Sequence, residues 1–143
     1  MKRVVLVTLL AVILVGSFPL IALQAEQGAE KAASEEATQA WLALVDAAKY
    51  SESWEQASEL FRKQVTKEQW AKAVEGVRSP LGQLNSRRLT SAEYSKTLPG
   101  APDGEYVTIQ FQSSFVNKKS AVETLVSMKD KDGQWRASGY FIR

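Results

Sequence analysis

The chain has 143 residues, of which 45% are hydrophobic, 24% charged and 9% aromatic, and it contains neither cysteine nor histidine. That length suits one domain, and the composition is that of a folding chain. The two missing residue types exclude a thiol nucleophile, a Ser–His–Asp triad, a disulfide and the usual zinc or iron–sulfur sites. No cofactor is expected.

The first element is a leader. Lys2 and Arg3 precede an apolar, β-branched run from Val4 to Ala25, broken at Gly16, Ser17 and Pro19, and the next charge is Glu26. A basic start, an apolar stretch and a small-residue exit predict a signal peptide over 1–25, cut after Ala25 or, second, after Ala22. The alternative is an uncleaved anchor over 4–25, since roughly 20 apolar residues span a bilayer. Both readings place the rest of the chain, residues 26–143, outside the cytoplasm as a single domain. In a bacterium that is the periplasm or beyond.

Removing the leader changes the charge. The whole chain has 18 basic and 16 acidic residues, so losing Lys2 and Arg3 leaves 16 against 16. Residues 26–75 then carry ten acids and six bases, and residues 76–143 carry six and ten. Without an Arg-rich run or a recognisable motif, the basic half reads as a solvated surface, not a nucleic-acid site.

Residues 26–33 read as a polar, frayed lead-in. From Ser34, a plausible N-cap, Ala37, Ala40, Trp41, Leu44, Val45 and Ala48 form one helical stripe. Lys49 to Ser53 reads as a connection, with Ser53 and Gln56 as a capping box opening the Trp54, Ala57, Phe61, Val65 stripe. Ser58 leaves open whether this stretch is one helix or two short ones. Thr66 and Gln69 form a second capping box before Trp70, Ala73, Val74 and Val77, and Pro80 and Gly82 end that helix.

The period then shifts from helical to alternating. Leu84 to Leu98 is β-compatible, and a Pro/Gly-rich loop follows from Leu98 to Gly104. Val107, Ile109, Phe111, Ser113 and Phe115 share one face of the next strand. A third strand carries Val122, Thr124, Val126 and Met128, and Asp130 to Gly133 turns the chain into the last, Gln134 to Arg143. Helices first and short-linked strands after predict an α+β fold with a four-stranded antiparallel meander, Trp41, Trp54 and Trp70 covering one face.

Few residues suggest chemistry. Asp130-x-Asp132-Gly133 lacks the further ligands of a calcium loop and reads as a hairpin turn, so no metal site is expected. Arg87 and Arg88 point to opposite sheet faces, and at most one of them, taken as Arg88, faces a ligand. Tyr94, Tyr106 and Tyr140 fall on or beside strands, where a phenol either packs in the core or donates to a ligand. Glu123 sits among Ala121, Leu125 and Ser127, a mixed set that predicts exposure; buried, it would be a candidate general base. The candidate ligand-binding set is therefore Arg88, Tyr94, Glu123 and Tyr140, with no residue assigned as catalytic.

Ser86-Arg87-Arg88-Leu89, the run from Thr97 to Val107, Ile109-Gln110-Phe111, Ala121-Val122-Glu123-Thr124 and the closing Asp132-Gly133-x-Trp135-Arg136-x-Ser138-Gly139-Tyr140 together resemble the domain-of-unknown-function 4019 family. Trp41-Leu42, Trp54, Leu60-Phe61-Arg62 and Gln69-Trp70 fit it as well, so the likeness covers about 35–143. It implies a small secreted or membrane-associated bacterial protein and carries over no catalytic residue. The layout is similar to cystatin-like and nuclear-transport-factor-like cone folds, which host both enzymes and binding modules.

Two functional expectations follow. One is a non-catalytic envelope module that binds a protein, peptide or small ligand through the sheet face or an edge strand, touching membrane only if the leader stays. The other is a cone-fold hydro-lyase or isomerase with Glu123 or Tyr94 as its acid–base group, which requires an enclosed cavity lined by that side chain.

Overall fold

A computed structural model describes residues 18–143, and most of the expected leader lies outside them. Helix α1 spans Phe18–Asp46. It therefore begins well before Ser34, which is not its N-cap. Residues 26–33 are Ala, Glu, Gln and Lys apart from Gly28, all but that glycine strong helix formers. Two tertiary contacts then fix this stretch to the sheet, because the Glu30 carboxylate accepts from Lys129 Nζ at 2.7 Å and Trp135 Nε1 at 2.9 Å.

The buried side of α1 is Ser34, Thr38, Trp41, Leu42 and Val45. Ala40 and Ala48 face solvent instead. Two small hydroxyl residues, Ser34 and Thr38, share the buried face with the apolar ones.

Helices α2 (Tyr50–Glu55), α3 (Glu59–Gln64) and α4 (Lys67–Arg78) follow. The break at Ser58 is real: its hydroxyl accepts the Phe61 N–H at 3.1 Å and caps α3. The Thr66–Gln69 capping box is formed in both directions. Ser53, by contrast, caps nothing. It lies inside α2, wholly buried, where its carbonyl accepts Trp41 Nε1 at 2.8 Å and its hydroxyl accepts Trp70 Nε1 at 2.9 Å. Ser53 Oγ in turn donates to Tyr50 O at 2.7 Å. Two indole donors that would otherwise be buried unpaired are satisfied at one serine.

Strands β1 (Leu84–Ser95), β2 (Tyr106–Phe115), β3 (Lys118–Lys129) and β4 (Trp135–Ile142) pair in chain order, each antiparallel to the next. The meander is the expected one, and its last turn uses Gly133 at φ 82°, a conformation that favours glycine. The helices lie on one side of the sheet. Trp41, Leu42, Val45, Trp70 and Val74 meet Val107, Ile109, Phe111, Leu125 and Trp135 there to form the core. Trp41 and Trp70 sit 5.8 Å apart, and Tyr140 meets Trp41 edge-on at 5.9 Å.

Candidate functional site: a closed ion network and an open strand edge

The covered sheet face changes character at the end where α1 and α4 terminate. There β2 offers Ser113, β3 offers Glu123 and β4 offers Tyr140, each following apolar residues on the same face. Glu123 was expected at the surface, yet it is 0% exposed. Its Oε1 accepts from Arg87 Nε at 2.7 Å and Ser113 Oγ at 2.5 Å. Its Oε2 accepts from Arg87 Nη2 at 3.0 Å and the Tyr140 hydroxyl at 2.5 Å. A carboxylate has about four acceptor positions, and all are taken. The mixed neighbours read from the sequence, Ala121, Leu125 and Ser127, are all buried as well.

Arg87 joins Glu123 to a second acid. Its Nη1 and Nη2 grip the two oxygens of Asp46, the last residue of α1, at 2.7 and 3.0 Å. Arg78, at the end of α4, donates to the same carboxylate at 2.8 Å and lies 4.9 Å above the Phe115 ring. The cluster thus holds two guanidinium groups and two carboxyl groups. Its protonation follows from that balance. Burial alone would raise Asp46, but the charge-assisted bonds from Arg87 and Arg78 outweigh it and hold the carboxyl below its ordinary 3.8. Burial, then the Glu123 charge it faces, pushes the Tyr140 phenol well above 10.

The other candidates lie elsewhere. Arg88 is exposed on the outer sheet face, and it is Arg87 that points inward. The Tyr94 hydroxyl donates to Glu105 at 2.9 Å, at the mouth of a separate surface cleft of about 440 Å³ that also has Glu26, Glu30 and Lys96 in its wall. Burial and that carboxylate push Tyr94 up to about 12. The structure therefore brings Glu123 and Tyr140 together and leaves Arg88 and Tyr94 apart from them. Asp46, Arg78 and Ser113 complete the cluster unforeseen. Ser113 alone had left a trace, as a hydroxyl in an otherwise apolar strand face.

An apolar cleft of about 280 Å³ opens beside the cluster, between α4 and the outer edge of β4. Trp70, Ala73, Val74 and Val77 wall one side, at the i, i+3, i+4, i+7 spacing of one helix face, and Tyr140, Phe141 and Ile142 wall the other. Arg143 and Val122 exchange both backbone bonds, at 3.1 and 2.9 Å. By antiparallel alternation Phe141 also bonds β3, and the backbone groups of Tyr140 and Ile142 turn outward toward the cleft. Further back, Ser58 N–H bonds Ala137 O at 2.8 Å and closes the edge. Phe141 is 64% exposed.

The family model described as Protein of unknown function (DUF4019) matches residues 37–140, the span that carries the whole ion network and the cleft lining up to Tyr140, with Phe141 and Ile142 just beyond it. The chain belongs to that family. No curated protein matches this DUF4019 chain in sequence. Among solved structures, a 2.5 Å structure from Catenulispora acidiphila is similar to it at a TM-score of 0.55 and 12% identity, over 82% of this chain and 93% of that one. At that identity the likeness is one of fold, and it agrees with helices packed on a four-stranded antiparallel meander.

Proposed function

We propose that the chain is a non-catalytic interaction module of the bacterial cell envelope that takes an extended apolar segment of a partner protein against the edge of β4. The observation that carries this reading is the contrast between the two faces of the β4 end. Inside, ionic and aromatic side chains fill the space that a cone-fold enzyme would give its substrate. Outside, an apolar cleft adjoins two strand residues whose backbone groups have no bond to another element among the described residues. A segment laid there would gain main-chain bonds from Tyr140 and Ile142 and place alternate side chains against Val77 and Trp70.

The enzyme alternative is supported less. Glu123 has no free acceptor position for a substrate proton. A Tyr94 phenol near pKa 12 exchanges protons poorly around neutrality.

Export is part of the proposal. Leu20, Ile21 and Leu23 on the first turns of α1 are 62%, 63% and 48% exposed. Cleavage after Ala25 would remove that apolar surface, and retention in a bilayer would cover it. Among the described residues no helix is long and apolar enough to cross a membrane by itself. N-terminal sequencing of the protein recovered from the envelope should find Glu26 first; Met1, on protein recovered from the cytosol, would contradict export.

The cleft is tested by selecting binders from a displayed library of random hexapeptides against the exported protein. The selected peptides should carry apolar residues at alternate positions and should not bind Val77→Glu, a substitution at an exposed site. No binders, or binders indifferent to that change, would contradict the reading.

A further inference from the structure

Among the described residues the opposite edge of the sheet is also left open, and its chemistry is different. No residue of β1 is buried, although β2 beside it supplies much of the core. Val116 N–H bonds Gln83 O, and Lys129 N–H bonds Glu105 O. These two bonds fix the alternation along β2: even-numbered residues bond β1 and odd-numbered ones bond β3. Ser86, Arg88, Ser91, Glu93 and Ser95 pair with even-numbered residues, so their backbone groups turn to β2. The backbone groups of Arg87, Leu89, Ala92 and Tyr94 point away from the sheet, and none of them has a backbone bond to another element among the described residues.

A bulge at Thr90 separates Leu89 from Ser91. Charges and bulges are the usual means of discouraging edge-to-edge pairing. Here they are arranged symmetrically. Arg88 and Glu93 lie on the same outer face, opposite Gln112 and Thr108, and equally far from the midpoint between Thr90 and Ser91.

We infer that β1 is an interface for a second copy of this chain, paired antiparallel to itself about a two-fold axis through that midpoint. In this register Arg88 faces the partner subunit's Glu93, and Glu93 faces the partner subunit's Arg88. These are non-hydrogen-bonded positions, where cross-strand side chains approach most closely. Leu89, 38% exposed, meets the partner's Ala92, and Arg87 meets the partner's Tyr94. All four of those residues have outward backbone groups, so each such pair exchanges two hydrogen bonds. The result is one continuous eight-stranded sheet with an isologous contact.

Other registers are penalised. Centring the pair on Arg88 or on Glu93 sets like charges face to face, and a slip of one residue opposes residues of different faces. The equal number of acidic and basic residues in 26–143 leaves no net charge to hold two copies apart. The β4 cleft lies at the other edge of the sheet, so both surfaces can be occupied at once.

Sedimentation velocity on the exported protein over a range of concentrations tests this. The wild type should sediment as a dimer. Arg88→Glu and Glu93→Arg, both at exposed positions, should each weaken dimerisation by about tenfold or more, since each sets like charges opposite one another twice. The Arg88→Glu/Glu93→Arg double variant should dimerise again, and mixing the two single variants should give a heterodimer. Val77→Glu should leave the mass unchanged, which separates this inference from the peptide-binding reading. A wild type that is monomeric throughout, a dimer insensitive to either single change, or a double variant that stays monomeric would overturn the proposal.

Discussion

Replacing Glu123 probes the ion network most directly. Glu123→Gln keeps the shape but turns one acceptor oxygen into an amide donor. Whichever way the amide is set, its nitrogen faces one guanidinium donor from which it cannot accept, Arg87 Nε or Arg87 Nη2, while the hydroxyl beside it, Ser113 or Tyr140, can turn to accept. One buried charge-assisted bond is lost, worth about 1–3 kcal/mol when a group is left unsatisfied. Glu123→Leu removes all four bonds and strands Arg87 against one carboxylate instead of two, a loss of about 3–5 kcal/mol. Against a total of roughly 5–15 kcal/mol for a domain of this size, either change is large. With a urea m-value near 1.5 kcal/mol/M, the leucine variant should lower the unfolding midpoint by about 2–3 M. The Arg87→Met/Glu123→Leu double variant should be less destabilised than the sum of its single changes by about 1–3 kcal/mol. Urea unfolding followed by tryptophan fluorescence measures all of these. A loss below about 1 kcal/mol for Glu123→Leu, or strict additivity with Arg87→Met, would refute the network as a structural unit.

Three further outcomes follow from the same contacts. Because Asp46 is held below its ordinary value, its stabilisation is present in full above about pH 4 and is lost as pH falls through the folded pKa, so Asp46→Asn should flatten the decline of the urea midpoint between about pH 4 and 2. Burial raises Tyr140, Tyr94 and Tyr106, so their stabilisation is complete below pH 10 and is lost at higher pH; the tyrosinate absorbance of these three of the four tyrosines should rise with unfolding, not before it, and their full ionisation in a still-folded chain would contradict this. Ser53→Ala leaves the Trp70 indole N–H without its acceptor and should cost about 1–3 kcal/mol, read as a lower thermal midpoint and a changed tryptophan emission.

The sequence disclosed most where one local rule sufficed. Thr66 and Gln69 cap α4 because a capping box is satisfied within four residues, and Asp130 to Gly133 turns because glycine takes the left-handed position. The meander was legible from alternation and short connections. Errors arose where tertiary partners override local preference. Ser34 looked like an N-cap, yet it is buried mid-helix, because Glu30 ties the preceding turns to Lys129 and Trp135 across about a hundred residues of chain. Ser53 looked like a cap for the same reason and instead serves two indoles.

The ion network was the least legible part. Its members come from α1, α4 and all four strands, and no spacing in the sequence joins Asp46 to Glu123. Glu123 read as a surface acid because its neighbours are small or mixed. What buries it is the arrival of Arg87 and Tyr140 from strands on either side. The cleft was foreseen only as an edge strand in general terms, since which stretch of edge stays open depends on where Ser58 closes β4.

Hydrogen exchange of the exported protein, with and without the peptides selected by display, tests the central claim most directly. Added peptide should slow exchange at the Tyr140 and Ile142 amides and leave the rest of the sheet beneath α1 unchanged. Protection centred on the strands around Glu123, with the β4 edge exchanging as before, would place the ligand inside the sheet-and-helix cone and contradict the account.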